Sequence, residues 1–249
     1  MRTAYLGTSD FAATVLRRLA ASEHEVVLVV TPPDSKRGRG RRLSPAPTAH
    51  AALELGLAVH KTPDVNESGS VSALDDAGAE AMVVCAFGQI VREPLLGEGI
   101  LNVHPSLLPR WRGAAPIERA IMAGDEVTGT SIMRLTEGLD SGPVALVERT
   151  PIGPDTYYDE LASRLAELSG ELLVRGLELA ARGALAFTEQ DEAGASYAEK
   201  ISAAERRLDP GRTAAELGRS VRALNPHIGT YLQLPGDEMV VGAGGIAEG

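Results

Sequence analysis

The side chains best placed to do chemistry in this chain are Asn102 and His104, two residues apart at the end of an apolar run. The run predicts a buried strand that ends before Pro105, because proline has no N–H to donate to a sheet. Residues two apart on a strand project from the same face. A carboxamide and an imidazole would then lie side by side at the carboxyl end of a strand, where open α/β sheets bind ligands. The alternative is that both only satisfy local turn backbone.

A third candidate, Asp140, lies in residues 138–142 (GLDSG), between two predicted strands. An amide N–H of Asn102 and a ring N–H of His104 can both donate to an oxyanion, and loss of one such donor raises a barrier by about 3–4 kcal/mol. Asp140 can orient His104, favour its charged form and help remove a proton from an attacking amine. A positioned acid or base contributes about a hundredfold or more in rate.

The elements that must position these side chains alternate between strand and helix through the first 150 residues or so. This order predicts an α/β fold with a doubly wound, mostly parallel, Rossmann-like sheet. A single glycine, Gly7, follows the first strand, so the dinucleotide fingerprint G-x-G-x-x-G is absent there. The predicted strands cover residues 2–6, 26–30, 58–60, 79–86, 100–104, 128–135 and 143–149. The first predicted helix has Ser9 or Asp10 as its N-cap. Five further predicted helices cover residues 48–55, 66–78, 116–123, 157–182 and 213–224.

The segment 31–47 contains four prolines and two glycines, and we expect it to be neither helix nor strand. Within it lies a basic run at residues 36–42 (KRGRGRR). It is either a solvated loop or a basic arm that docks on phosphates.

The motif of residues 100–116 and the loop of residues 138–142 together resemble the folate-dependent formyltransferase family, and residues 106–117 (SLLPRWRGAAPI) resemble its members that formylate initiator methionyl-tRNA. The likeness covers most of residues 1–206. It implies 10-formyltetrahydrofolate as co-substrate, no metal, and Asn102, His104 and Asp140 as catalytic residues. The residues that it implies for folate binding are Phe87, Gly88, Gln89, Ile90, Ser106, Leu107, Leu108 and Pro109.

By the same resemblance, the basic segment enters the acceptor end of tRNA through Arg37, Arg39, Arg41 and Arg42. From the residues alone, Leu107 and Leu108 fit a core better than a ligand contact. Trp111, the only tryptophan, could stack on a terminal base or serve in packing. Arg110 and Arg112 lie beside the predicted site and could meet phosphate or the glutamate tail of folate.

Two other functions stay open at this stage. One is a related enzyme that acts on an amino sugar nucleotide or glycinamide ribotide, or a formyltetrahydrofolate hydrolase. The other is a non-catalytic RNA-binding or folate-binding relic, against which the intact set of Asn102, His104 and Asp140 argues. The basic segment and residues 110–116 (RWRGAAP) favour the tRNA substrate.

Composition sets outer limits on these functions. The net charge of −10 argues against a protein that coats nucleic acid, although a specific RNA partner needs only a local patch. The lone cysteine, Cys85, lies in an apolar run typical of a buried strand, and no apolar run approaches the ~20 residues that cross a bilayer. We expect a cytoplasmic, monomeric protein without membrane contact.

We expect three consecutive parts: a catalytic domain at residues 1–183, a linker at 184–206, and residues 207–249. The last part contains a helix with Thr213 and Glu216 in capping-box spacing, then a predicted hairpin at residues 230–234 and 239–241. By the resemblance it begins a small β-barrel of the oligonucleotide-binding (OB) type and is truncated after one hairpin.

Overall fold

The computed structural model describes residues 1–37, 42–97, 99–234 and 237–241, with backbone alone at residues 37, 234 and 237–240. Its strands are β1 (Arg2–Gly7), β2 (Glu25–Thr31), β3 (Ser35–Arg37), β4 (Arg42–Ser44), β5 (Val59–Lys61), β6 (Ala81–Cys85), β7 (Ile100–His104), β8 (Arg112–Gly113), β9 (Val127–Arg134), β10 (Val144–Pro151), β11 (Tyr197–Ala198), β12 (Thr230–Leu234) and β13 (Asp237–Val241). Its α-helices are α1 (Asp10–Ala20), α2 (Pro47–Glu54), α3 (Ser68–Asp76), α4 (Pro116–Ala123), α5 (Tyr158–Ala181) and α6 (Ala214–Leu224).

A seven-stranded sheet in the order β10-β9-β7-β6-β1-β2-β5 forms the centre of the fold. The five strands from β7 to β5 run parallel, and β9 runs antiparallel to β7. The predicted mostly parallel α/β sheet is therefore confirmed. The predicted strands and helices outside residues 31–47 are also present, with ends that differ by at most two residues.

Both faces of this sheet are buried, as the alternation along β1 shows. Tyr5 packs in a cluster with residues of α1 and the later part of α5, whereas Ala4 and Leu6 pack on the other face with Leu74 of α3. Successive residues of a strand point to opposite faces, so a continuous apolar strand can serve two cores. This is the packing of a doubly wound sheet, and it holds the ends of the parallel strands in fixed positions.

The chain forms two compact units that interleave along the sequence. The first comprises residues 1–104, 130–148 and 166–190, and includes the parallel strands; the second comprises residues 105–129, 149–165 and 191–249. The sequence predicted consecutive domains ending at 183 and 206 instead, and that division stays a prediction.

Within the second unit, α4 packs against α6. Helix α4 is capped by Gly124, whose φ of 80° is the left-handed conformation common at helix ends. At the start of α6, Thr213 and Glu216 form the predicted capping box. Strands β12 and β13 form an antiparallel hairpin after α6, also as predicted.

One prediction about the first unit is wrong. Residues 31–47 are not wholly irregular, because β3 and β4 pair as an antiparallel hairpin with Ser35 opposite Ser44. The prolines that suggested a loop all lie outside the paired residues, so they leave the backbone donors of the hairpin intact. None of the helices in the described ranges is both long and apolar enough to cross a membrane.

Candidate active site

Asn102 and His104 lie on β7, the third strand from one edge of the sheet. Both are largely buried, at 7% and 4% exposure. His104 is the last residue of the strand, so its ring stands at the carboxyl edge of the parallel strands. The prediction that the two side chains share one face is supported by their common neighbour, Asp140.

The route by which Asp140 reaches them depends on the direction of β9. Because β9 is antiparallel to β7, Ser131 lies beside His104 and Arg134 lies beside Leu101. The chain therefore leaves β9 at the end away from His104. The loop that follows folds back, and it carries Asp140 to both polar side chains.

A glycine at position 142 permits this fold of the loop. A Cβ at Gly138 would lie 2.2 Å from the hydroxyl of Ser141, and a Cβ at Gly142 would lie 2.1 Å from the carbonyl oxygen of Arg134. The contact at Gly142 is with backbone, so a larger residue there would displace the loop, whereas rotation of the Ser141 side chain can relieve the contact at Gly138. Asp140 itself has a φ of 45°, in the left-handed region that Asp and Asn tolerate better than most residues.

The three predicted catalytic residues therefore meet. The amide Nδ2 of Asn102 donates to Oδ1 of Asp140 at 3.2 Å. Nδ1 of His104 lies 3.5 Å from Oδ2 of Asp140, and the two side chains are 6% and 14% exposed. With Nδ1 toward the carboxylate, Nε2 is the ring nitrogen directed away from it, and it can donate to or accept from another molecule.

This arrangement can polarise a carbonyl group and move a proton. The Asn102 amide carries two N–H groups, of which Asp140 uses one. A carboxylate beside Nδ1 sets the orientation of the imidazole and stabilises it when it is charged. Burial strengthens both effects, because water is largely excluded from the imidazole and the carboxylate.

The backbone of His104 is held by a pair of hydroxyl groups that the sequence analysis did not single out. Thr130 donates to the carbonyl oxygen of His104 at 3.3 Å, and its hydroxyl lies 2.7 Å from that of Ser169. Thr130 and Ser169 are fully buried. The only sequence signal was the placement of Thr130 on the strand after the motif, which does not identify its partner.

The turn of residues 87–90, predicted to bind folate, follows β6 at the same edge of the sheet. The ring of Phe87 is buried in the core, and its carbonyl oxygen accepts from the hydroxyl of Thr8. The amide of Gln89 accepts from the N–H of Val65 and donates to the carbonyl oxygen of residue 62. These groups hold the turn, whereas Gly88 and Ile90 are exposed.

The other predicted folate residues, 106–109, lie in the second unit. Ser106 is fully buried, and its hydroxyl donates to the carbonyl oxygen of Arg110 at 2.6 Å. Leu107, Leu108 and Pro109 are partly buried. Ser106 thus closes the turn, and the three residues after it keep part of their surface accessible.

Arg110 and Trp111 share one carboxylate, that of Asp125. The guanidinium of Arg110 donates to both oxygens at 2.9 and 2.6 Å, and the indole N–H of Trp111 donates at 2.8 Å. The guanidinium carbon also lies 4.4 Å from the centre of the Trp111 ring. The hydrogen bond with Asp125 raises the pKa of Arg110. Arg112 is buried and forms a double hydrogen bond with Glu192.

The basic run can be followed only in part. Arg42 begins β4 and is exposed, and Arg37 ends β3 with its backbone described. Arg39 and Arg41 lie outside the described residues. The hairpin follows β2, so it stands at the carboxyl edge of the sheet in the unit that holds His104.

Cys85 ends β6 and is fully buried, as expected for a core thiol. Burial raises its pKa to about 12, which leaves almost no thiolate near neutral pH. Burial also raises the pKa of the neighbouring Tyr5 phenol, whose hydroxyl donates to the carbonyl oxygen of Ala12 at 2.7 Å. Neither group is close to its charged form at neutral pH.

Comparisons with known proteins point to one family. The family model described as "Formyl transferase" matches residues 1–177. The chain is 44% identical to the methionyl-tRNA formyltransferase of Caulobacter vibrioides over 96% of this chain and 78% of that protein. It is 43% identical to the enzyme of the same name from Marinobacter nauticus, over 94% of this chain and 76% of that protein.

Solved structures share the fold at low sequence identity. HypX from Aquifex aeolicus superposes with a TM-score of 0.73 at 19% identity, over 97% of this chain and 39% of that one. The sugar 3N-formyl transferase WlaRD has a TM-score of 0.69 at 15% identity, over 99% and 95% of the two chains. Glycinamide ribonucleotide transformylase 1 from Symbiobacterium toebii has a TM-score of 0.61 at 23% identity, over 77% and 94%.

Proposed function

This chain belongs to the formyl transferase family, and from that premise we propose that it transfers a formyl group from 10-formyltetrahydrofolate to the free amino group of initiator methionyl-tRNA. The observation that carries the choice of substrate is the 44% identity, over 96% of this chain, to an enzyme named for it. The meeting of Asn102, His104 and Asp140 supports the chemistry.

In this reaction, stabilising the charge on the formyl oxygen is harder than activating the amine nucleophile. A free α-amino group has a pKa of about 7.7–8.0, so a useful fraction is neutral near pH 7. In the transition state, negative charge develops on the formyl oxygen. We assign the N–H of Asn102 that does not face Asp140, and a ring N–H of His104, as the donors to that oxygen.

Asp140 has two roles in this proposal. Its carboxylate, 3.5 Å from Nδ1 of His104, holds the imidazole in one orientation and stabilises it when it is charged. The same carboxylate favours removal of a proton from the amine as the new C–N bond forms. The bond between the formyl carbon and the folate nitrogen then breaks, and that nitrogen leaves with a proton as tetrahydrofolate. The proposed mechanism requires no metal.

Folate binding is assigned to the two segments that the sequence indicated, with separate duties for their residues. Gly88 and Ile90 are exposed and are proposed to contact the folate, while Phe87 and Gln89 hold their turn. In the other segment, Ser106 closes the turn by its bond to Arg110, and residues 107–109 offer apolar surface.

We assign the tRNA acceptor end to the basic run, through Arg37, Arg39, Arg41 and Arg42. A local run of arginines can bind phosphates even though the whole chain carries a net charge of −10. Residues 207–249 are proposed to begin an OB-type domain, which the helix α6 and the hairpin of β12 and β13 support. We also propose that the protein is cytoplasmic and monomeric. Sedimentation of the purified chain tests the oligomeric state.

The deciding experiment supplies 10-formyltetrahydrofolate to the purified chain with three acceptors in parallel: charged initiator tRNA, glycinamide ribotide and an amino sugar nucleotide. We expect formylmethionyl-tRNA and no product from the other two. Release of formate without an acceptor would indicate a hydrolase instead. Product only on the sugar or the ribotide would refute the proposed substrate and leave the family assignment intact.

A further inference from the structure

We propose that Gln190 is a positioning residue for Asp140, and that formyl transfer depends on it although it touches no reacting atom. The inference rests on the proposed function. The side-chain amide of Gln190 donates to the carbonyl oxygen of Asp140 at 2.8 Å and to that of Gly142 at 2.7 Å. It therefore holds the backbone of the loop on both sides of Ser141.

The strand register explains why this glutamine faces the loop. Val144, the first residue of β10, forms an antiparallel bridge with Thr188 through two backbone hydrogen bonds of 2.8 and 2.9 Å. In an antiparallel pair, the residue two before one partner faces the residue two after the other. Gly142 and Gln190 stand in that relation, so the bridge places the amide against the loop.

The orientation of the Gln190 amide follows from its partners. Both partners are carbonyl oxygens, which only accept hydrogen bonds, so the NH2 end must face them. Methionine has nearly the same length and volume as glutamine but no donor, and glutamate puts an acceptor in the same place. The position thus offers two substitutions that change hydrogen bonding with little change in shape.

We call the two hydrogen bonds from the Gln190 amide the clamp. The loop needs the clamp because its backbone conformation is unfavourable. Asp140 has a φ of 45°, and a non-glycine residue keeps this left-handed conformation only when surrounding contacts offset its cost. The bonds from Gln190 act on the carbonyl groups of residues 140 and 142. Without them, the loop can relax and carry the carboxylate away from His104 Nδ1, which it faces at 3.5 Å.

The test compares the wild type with Gln190→Met and Gln190→Glu, and with Glu189→Ala as a control at the exposed neighbouring residue. For Gln190→Met we expect kcat to fall about 10- to 100-fold, because displacement of a catalytic group by about 1 Å has an effect of that size. KM for both substrates and the thermal midpoint should stay close to those of the control. A kcat like that of the control, or a rise in KM with kcat unchanged, would overturn the proposal.

The variant Gln190→Glu supplies a pH readout that a merely structural role would not move. As a carboxylate it repels the two carbonyl oxygens, and as a carboxylic acid it can donate to one of them. We expect its kcat relative to the wild type to rise as the pH falls from about 8 to about 6, because partial burial next to two acceptors raises a carboxyl pKa. A ratio independent of pH, with Gln190→Met fully active, would refute the inference.

A spectroscopic readout separates this inference from the proposed function. The ring nitrogen resonances of His104, assigned by comparison with His104→Ala, should change in Gln190→Met in the direction seen in Asp140→Asn. If the wild type formylates no methionyl-tRNA, the proposed function fails, and the resonances still test the clamp. If the wild type is active and the resonances do not move in Gln190→Met, the clamp alone is refuted.

Discussion

Replacing Asp140 by Asn tests the central arrangement with the least change in shape. Asn fills the same volume and tolerates the φ of 45° as well as Asp does. Its side-chain oxygen can still accept from Asn102. What it removes is the negative charge that faces His104.

The structure sets the size of the expected effect. At 3.5 Å between His104 Nδ1 and Asp140 Oδ2, a full charge pair is worth about 5 kcal/mol at an effective dielectric constant of about 20. If the imidazole is charged in the transition state, loss of this attraction slows the reaction by about three orders of magnitude.

The assay measures the rate of formyl transfer in a single turnover with both substrates saturating. Folate affinity is measured separately by equilibrium binding. We expect the rate of Asp140→Asn to fall by about 10³-fold, with folate affinity and thermal midpoint little changed. The control is Asp76→Asn, which makes the same charge change at an exposed site at the end of α3. A rate near that of the control would refute the role of the Asp140 charge.

Three further predictions concern the basic hairpin, the core and the second unit. Arg42→Ala should raise KM for methionyl-tRNA and leave KM for folate unchanged. The dependence of log KM for tRNA on log salt concentration should become shallower by about 0.7–0.9. The exposed Arg182→Ala is the control, and an unchanged salt dependence would contradict phosphate binding. Native Cys85, with a pKa of about 12, should resist a thiol reagent until the protein is unfolded, and rapid labelling of folded protein would contradict its burial. Glu205, whose pKa the Arg119 hydrogen bond lowers to about 2, should stabilise the fold above its ordinary pKa and lose that effect as the pH falls toward 2. After allowance for partial exposure we expect about 1–2 kcal/mol, so urea unfolding of Glu205→Gln should differ from wild type at neutral pH and converge with it in acid; an equal difference at both pH values would contradict the pairing.

Local sequence signals were sufficient for most elements of the fold. The apolar run of β7 and the proline after it predicted a buried strand with Asn102 and His104 on one face. Thr213 and Glu216 predicted the start of α6, because capping depends on residues only three apart. Such features are encoded within a few residues, so their chemistry can be read without knowing the rest of the fold.

The hairpin of β3 and β4 shows where local signals failed. Prolines and glycines in residues 31–47 predicted a loop, yet the pairing of Ser35 with Ser44 depends only on the residues between the prolines. Composition averaged over a segment cannot show which backbone donors remain available for pairing. The division into interleaved compact units was likewise out of reach, because it depends on contacts between distant parts of the chain.

The sequence by itself determined which residue types could do the chemistry and put two of them on one strand face. Only the tertiary structure brought Asp140 to them, because that depends on the antiparallel direction of β9 and on a loop that folds back through Gly142. Gln190 was invisible for the same reason: its position opposite Gly142 follows from the bridge between Val144 and Thr188. Pairing between residues more than forty positions apart leaves no periodicity or motif in the chain, since its energy comes from a register that forms only when the sheet is complete.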